Sequence, residues 1–266
     1  MAVAHSCEMA MPSNSFMRVN RYGALCAEVY DTDKPFGFLP DTAFHLERLA
    51  TIDGPILEPA CGTGRGLVPM LEAGHDVTGF DASPDMLARC HARCEARGLT
   101  PDLSQQRFED FSYDRRFACI IVPVGTFTLI DDFPTAMAVL RRFHAHLAPG
   151  GVVILDLDRL ANLAADGEDR RSWLAENGDL LTVVGHVTRT DWLAQRTESR
   201  TRYERWRDHK LIESELEPMV ARHWGMEEFK LALAAAGFTD ISVTGDYQRG
   251  PLRAHPRTLT FEARRS

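Results

Sequence analysis

Between residues 53 and 158, short apolar runs alternate with stretches whose apolar positions recur at helical spacing. Residues 55–57 form an apolar run ending in Glu58, and a glycine-rich turn from Cys61 to Gly66 follows. A helix is expected over 67–73, closed by Gly74, and a strand over 76–80 ends in Asp81. Ser83 and Pro84 read as N-cap and first helical position of a helix over 85–97, which Gly98 closes. Strands are expected over 103–108, 117–122 and 152–157, with a helix over 134–147 that spaces Met137, Leu140, Phe143 and Leu147 on one side. The run Phe117 to Val122 is apolar without a break, which suits a strand covered on both faces. Strands alternating with helices imply an α/β fold with a doubly wound parallel sheet, whose ligand binds at the carboxyl ends of the strands.

The flanking regions keep a different rhythm. Residues 16–49 read as two helical segments: one holds Tyr22 to Tyr30, and Asp41 is expected to cap the other over 42–49. Residues 180–224 hold three stretches rich in β-formers, read as an inserted antiparallel sheet. A helix over 226–236 and strands over 238–247 and 258–263 finish the chain. The expected division is a flexible tail (1–15), an N-terminal helical cap (16–50), a ligand-binding core (51–158), the inserted sheet (159–225) and a C-terminal completion of the core (226–266).

Composition narrows the function classes. The chain has 266 residues and a formal charge of −8, with no run of Lys and Arg, so a broad nucleic-acid or anionic-membrane surface is disfavoured. No stretch reaches the roughly 18 apolar residues of a membrane span, and the N-terminus lacks the charged start and apolar core of a secretory signal. The six cysteines match no zinc spacing. Cys90 and Cys94, four apart on a helix, read as small core residues. No metal site is expected, and the compartment expected is the reducing cytoplasm.

The glycine turn carries the chemistry. No Gly-Lys-Ser/Thr follows it, so it is not a P-loop. The dinucleotide pattern G-x-G-x-x-G is also broken: glycines fall at 62, 64 and 66, and Leu67 stands where the third belongs. Glu58 beside the turn is a poor neighbour for a pyrophosphate and a good one for a ligand carrying an ammonium and a sulfonium. Asp81 can accept hydrogen bonds from both hydroxyls of a ribose. The pair fits S-adenosylmethionine.

The stretches LEPACGTGRG, GFDAS, FACIIVPVGTF and LAPGGVVILDLD, in this order, resemble the class I S-adenosylmethionine-dependent methyltransferases. The likeness runs from about Asp53 to Asp158, and the tail from His223 to Tyr247 resembles the close of that fold. The resemblance implies a seven-stranded sheet with its last strand antiparallel. It further implies that Glu58, Ala60, Gly62 and Gly64 contact the methionyl part of the cofactor, Asp81 and Ala82 hold the ribose, and Phe108 and Glu109 border the adenine. Val122 to Val124 would face the reacting methyl. Where many members place an adenine-binding acid just after the third strand, this chain has Gln106 or Arg107, leaving Glu109, Gln106 or a backbone carbonyl for that contact. The product would be S-adenosylhomocysteine.

The acceptor expected is a small molecule, such as a secondary metabolite or amino sugar, with N- and O-transfer both open. Candidate catalytic groups are Tyr22, Tyr30, His186 and His223, each with packing or surface exposure as the alternative. The inserted sheet is a candidate homodimer contact. The rival readings are a nicotinamide-type oxidoreductase, a cofactor-binding module without catalysis, and a macromolecule methyltransferase, for which neither an Asn-Pro-Pro-Tyr element nor a basic extension is present.

Overall fold

The computed structural model describes residues 20–37, 40–164 and 167–266. The expected tail over 1–15 and the start of the cap lie outside these residues. Eleven strands occur in the described residues: β1 (Ile56–Pro59), β2 (Val77–Asp81), β3 (Asp102–Gln105), β4 (Phe117–Val122), β5 (Leu147–Asp158), β6 (Glu168–Leu174), β7 (Leu180–Asp191), β8 (Arg196–Arg207), β9 (Lys210–Arg222), β10 (Phe238–Gly245) and β11 (Thr258–Arg265). The α-helices are α1 (Ala24–Asp33), α2 (Asp41–Leu49), α3 (Leu67–Glu72), α4 (Pro84–Glu95), α5 (Phe133–His146) and α6 (Met226–Ala235). One sheet runs β10-β11-β5-β4-β1-β2-β3 and the other β6-β7-β8-β9. The last strand, β11, is antiparallel to both neighbours, as the resemblance implied.

The order reverses at β1, which pairs in parallel with β2 on one side and β4 on the other. A crevice at the carboxyl ends follows from that topology. The uninterrupted apolar run of β4 is explained by its two neighbours. Ile120 and Val122 join the layer containing Phe143 and Phe229, whereas Cys119 and Ile121 join the opposite layer with Leu67, Val68, Cys90 and Cys94.

Several boundaries differ from expectation. Helix α1 starts at Ala24 because Tyr22 takes a left-handed φ of 52° and Gly23 is the N-cap. It runs on to Asp33, three residues past Tyr30. Asp41 does not cap α2. It is the first helical residue behind Pro40, and its buried carboxylate takes two bonds from the Arg65 guanidinium, at 3.0 and 2.5 Å. Strand β3 stops at Gln105, so Phe108 and Glu109 lie in the following turn. The inserted sheet has four strands rather than three, because the polar segment Glu168–Leu174 pairs along β7. Trp224 belongs to the main core against Phe127 and Phe229 rather than to the inserted sheet.

The second sheet holds α1. Leu181 and Val183 pack against Leu25 and Val29. Helix α1 has no side-chain N-cap of its own. Its orphan N–H groups are met from β9: Gly23 N donates to Glu217 Oε1 (2.9 Å) and Cys26 N donates to Glu215 Oε2 (3.0 Å). Arg205 of β8 reaches Glu28 of α1 at 2.5 Å.

The Arg65–Asp41 pair therefore ties the cap to the glycine turn. Removing one partner strands a buried charge, so Asp41→Ala is expected to cost about 3–5 kcal/mol in denaturant unfolding. Replacing both partners with apolar residues should cost less than that single change. A single-mutant loss below about 1 kcal/mol would show that water screens the pair.

Candidate active site

The crevice is built around one carboxylate. Asp81, at the end of β2, accepts Gly62 N at Oδ2 (2.9 Å) and Ser83 N at Oδ1 (2.8 Å). It thus joins the glycine turn after β1 to the start of α4, where Ser83 Oγ caps Met86 N at 3.1 Å. The turn needs left-handed backbone at Ala60 (φ 51°), Gly62 (57°) and Gly64 (84°). A Cβ on Gly62 would meet nothing nearer than Met86 Sδ at 4.0 Å, so the turn presents bare backbone to open space. On Gly64 it would lie 2.7 Å from Cys90 Sγ, and on Gly66 2.5 Å from Glu58 Oε1. The first glycine keeps a concavity open, and the other two let α4 and Glu58 approach.

Glu58 is buried, and its Oε2 has no hydrogen-bond partner. Burial pushes its pKa well above the ordinary carboxylate value, with Arg65 pulling the other way. Burial also raises Asp81, against the backbone N–H groups of Ser83 and Gly62. Two buried carboxylates are therefore close enough for the charge of Asp81 to raise Glu58 further, and Glu58 has an unmet oxygen.

Tyr22 and Tyr30 lie on this side of the molecule. The Tyr22 carbonyl accepts Ser83 Oγ at 2.6 Å. Its hydroxyl pKa is raised by burial and then by the charge of Cys26, Tyr30, Asp81 and Glu217. Tyr30 is raised by burial, with Arg65 opposing, and Lys34 Nζ lies 4.6 Å from its ring centre. The histidines stand apart. His186 is exposed on the face of β7 opposite Leu181 and Val183, away from α1. His223 is buried, with Nε2 2.9 Å from Thr197 Oγ1, and burial lowers its pKa. Neither shares a hydrogen bond with the crevice among the described residues.

Ala82 is exposed, and its carbonyl accepts Gln105 Nε2 at 3.2 Å. Phe108 is half-buried, edge-on to Phe80 and Phe143 at 6.1 Å each. Glu109 is exposed and faces Arg107 at 3.4 Å. Gln106 uses both ends of its amide on Ser104 Oγ (2.8 Å) and Ser112 N (2.9 Å). Val122 is buried, and the loop after it has left-handed φ at Val124 (57°) and Gly125 (71°).

That loop is held from below by a group that sequence reasoning missed. Asp156 of β5 is fully buried and accepts His45 Nε2 (2.9 Å), Val124 N (3.0 Å), Tyr247 Oη (3.1 Å) and Thr260 Oγ1 (2.7 Å). Burial alone would raise its pKa, but His45 and these donors hold it below the ordinary carboxylate value. The available signal was an aspartate in the apolar run VVILDLD at a strand's carboxyl end. Nothing local to Asp41 or Arg65 disclosed their pairing.

Residues 56–151 match the family described as "Methyltransferase domain". The chain is 32% identical to the cypemycin N-terminal methyltransferase of a Streptomyces species over 46% of this chain and 49% of that protein. It is 29% identical to the dTDP-3-amino-3,4,6-trideoxy-alpha-D-glucopyranose N,N-dimethyltransferase of Streptomyces venezuelae over 50% of this chain and 55% of that one. These alignments span about half the length of the curated relatives. The structure superposes on that of the sugar N-methyltransferase KedS8 from Streptoalloteichus with a TM-score of 0.73 at 21% identity, covering 100% of this chain and 98% of that one.

Glu58 gives a signed test. A carboxyl whose folded pKa is raised loses stability as pH climbs from its unfolded value through its folded one, and the penalty is complete above that. Glu58→Gln should therefore raise the melting temperature of the ligand-free protein at pH 8 while changing it little at pH 4. A lower melting temperature at pH 8 would mean that the ionised group is stabilising.

Proposed function

We propose that this chain, which carries a methyltransferase domain over residues 56–151, transfers a methyl group from S-adenosylmethionine to a nucleophile of a small molecule. The observation that carries the reading is the buried pair of carboxylates around a bare glycine concavity, with Glu58 Oε2 unmet and Asp81 set on Gly62 N. A ligand with ammonium and ribose hydroxyl donors fits that set, and a pyrophosphate does not.

Under this reading Glu58, Ala60, Gly62 and Gly64 hold the amino-acid end and Asp81 with Ala82 the ribose. Phe108 and Glu109 border the adenine, and Val122 to Val124 face the methyl. Glu109 or a backbone carbonyl takes the adenine amine, because the Gln106 amide is already engaged. The bound cofactor supplies an electrophilic methyl already activated by its sulfonium. The protein's work is alignment and exclusion of water. The reading gives Tyr22 and Tyr30 of the cap contact with cofactor or acceptor, supported by the bond of the Tyr22 carbonyl to Ser83. It gives no step to His186, which lies on the exposed outer face, or to His223, which bonds Thr197. The named activities of the two curated relatives favour nitrogen over oxygen as the acceptor atom. The same reading places the enzyme in the cytoplasm, with the outer face of the inserted sheet as the homodimer contact.

Calorimetry checks the cofactor directly. S-adenosylhomocysteine should bind and NAD should not, and the reverse would favour an oxidoreductase. Asp81→Ala should cost about 1.5–3 kcal/mol of binding, or roughly 10- to 150-fold in affinity. Unchanged affinity in a folded variant would put the site elsewhere.

A further inference from the structure

Asp156 and Asp158 lie two apart on β5 and so project from the same face of the strand. Their surroundings differ. Asp156 is sealed by four donors, whereas Asp158, one step nearer the crevice mouth, is exposed and has no hydrogen bond or ion pair among the described residues. Its carboxylate lies against the open side of Gly125, in the loop after β4: a Cβ there would be 3.3 Å from Asp158 Oδ2. Without a side chain, that glycine (φ 71°) lets the carboxylate lie against the loop that faces the transferable methyl under the methyl-transfer reading. The groups around it are few. Asp156 on its own strand and Lys34, just past the end of α1, act on it, and its β11 partner Thr258 brings no charge. The Arg159 guanidinium turns instead to Asn162 at 3.2 Å, and Lys34 has a partner in Asp33 at 3.5 Å. Packing against Gly125 takes water from part of its side chain, and this desolvation with the charge of Asp156 holds its pKa above the ordinary carboxylate value, with Lys34 pulling back.

We propose that Asp158 is the group that recognises the acceptor, pairing with the ammonium of a primary or secondary amine and receiving its proton, so that the enzyme selects amines over alcohols. The inference rests on the methyl-transfer reading. The ammonium nitrogen gives a proton to the Asp158 carboxylate, leaving a neutral amine. Its lone pair forms the new N–C bond as the methyl's C–S bond breaks with both electrons going to sulfur. The positive charge passes from sulfonium to the methylated nitrogen, and no oxidant or other co-reactant is needed. A carboxylate with a raised pKa suits this role, because it is a stronger base than a free aspartate. An alcohol offers no cation to pair with it and too weak an acid to ionise.

The test uses the full chain, labelled S-adenosylmethionine, and matched probes: 3-amino-3-deoxyglucose against glucose, and glycine against glycolate. An amine should be methylated and its hydroxyl counterpart should not. Asp158→Asn should lower kcat/KM for that amine by about 100-fold or more. It should also erase the limb in which activity falls as pH drops through the aspartate's pKa. Calorimetry of the amine into protein saturated with S-adenosylhomocysteine should show weakened binding in the variant. S-adenosylhomocysteine affinity itself should stay within about two-fold, which also reports an intact fold. Intact cofactor affinity together with methylation of an alcohol, methylation of none of the amines, or an unchanged pH limb in Asp158→Asn overturns this inference alone. Failure of the wild-type protein to bind S-adenosylhomocysteine overturns the reading beneath it as well.

Discussion

The two hydrogen bonds that Asp81 accepts, from Gly62 N and Ser83 N, organise the site. They fix the glycine turn to the end of β2 and to the first turn of α4. The left-handed residues of the turn carry a backbone cost that an anchored neighbour must offset. Without Asp81, Gly62 N would lose its acceptor and the concavity its shape. The carboxylate keeps lone pairs free after both bonds, so one group both builds the cradle and remains available to a ligand.

A second constraint acts from the far end of the chain. The cap that bears Tyr22 and Tyr30 is tied to the core through Arg65 and Asp41, and to the inserted sheet through Glu215, Glu217 and Arg205. Helix α1 is short and without a side-chain cap of its own, so its stability comes from these contacts rather than from propensity. The cap, the sheet and the glycine turn are thus mechanically linked, through residues about 190 positions apart.

Local pattern made the main sheet legible. The alternation of strands and helices, the Ser83-Pro84 start of α4, the glycine turn after β1 and the acid ending β2 stand where the pattern put them, because each is a short-range signal. The cap and the inserted sheet depend on long-range contacts that leave no periodic trace. Asp41 looked like a helix cap because caps favour aspartate, yet tertiary pairing with Arg65 moved it inside the helix. Segment 168–174 was missed because its residues are polar, and it is a strand only through its pairing with β7. Asp156 was passed over as one more strand residue, although an acid inside a run of buried apolar residues needs partners wherever it lies.

A crystal structure with S-adenosylhomocysteine would show whether the crevice at the reversal of the sheet holds S-adenosylmethionine through Asp81 and Glu58. Both ribose hydroxyls are expected within hydrogen-bonding distance of the Asp81 carboxylate, with the amino group on the Glu58 side of the turn. Ligand density elsewhere in the chain, or a ribose turned away from Asp81, would contradict that placement.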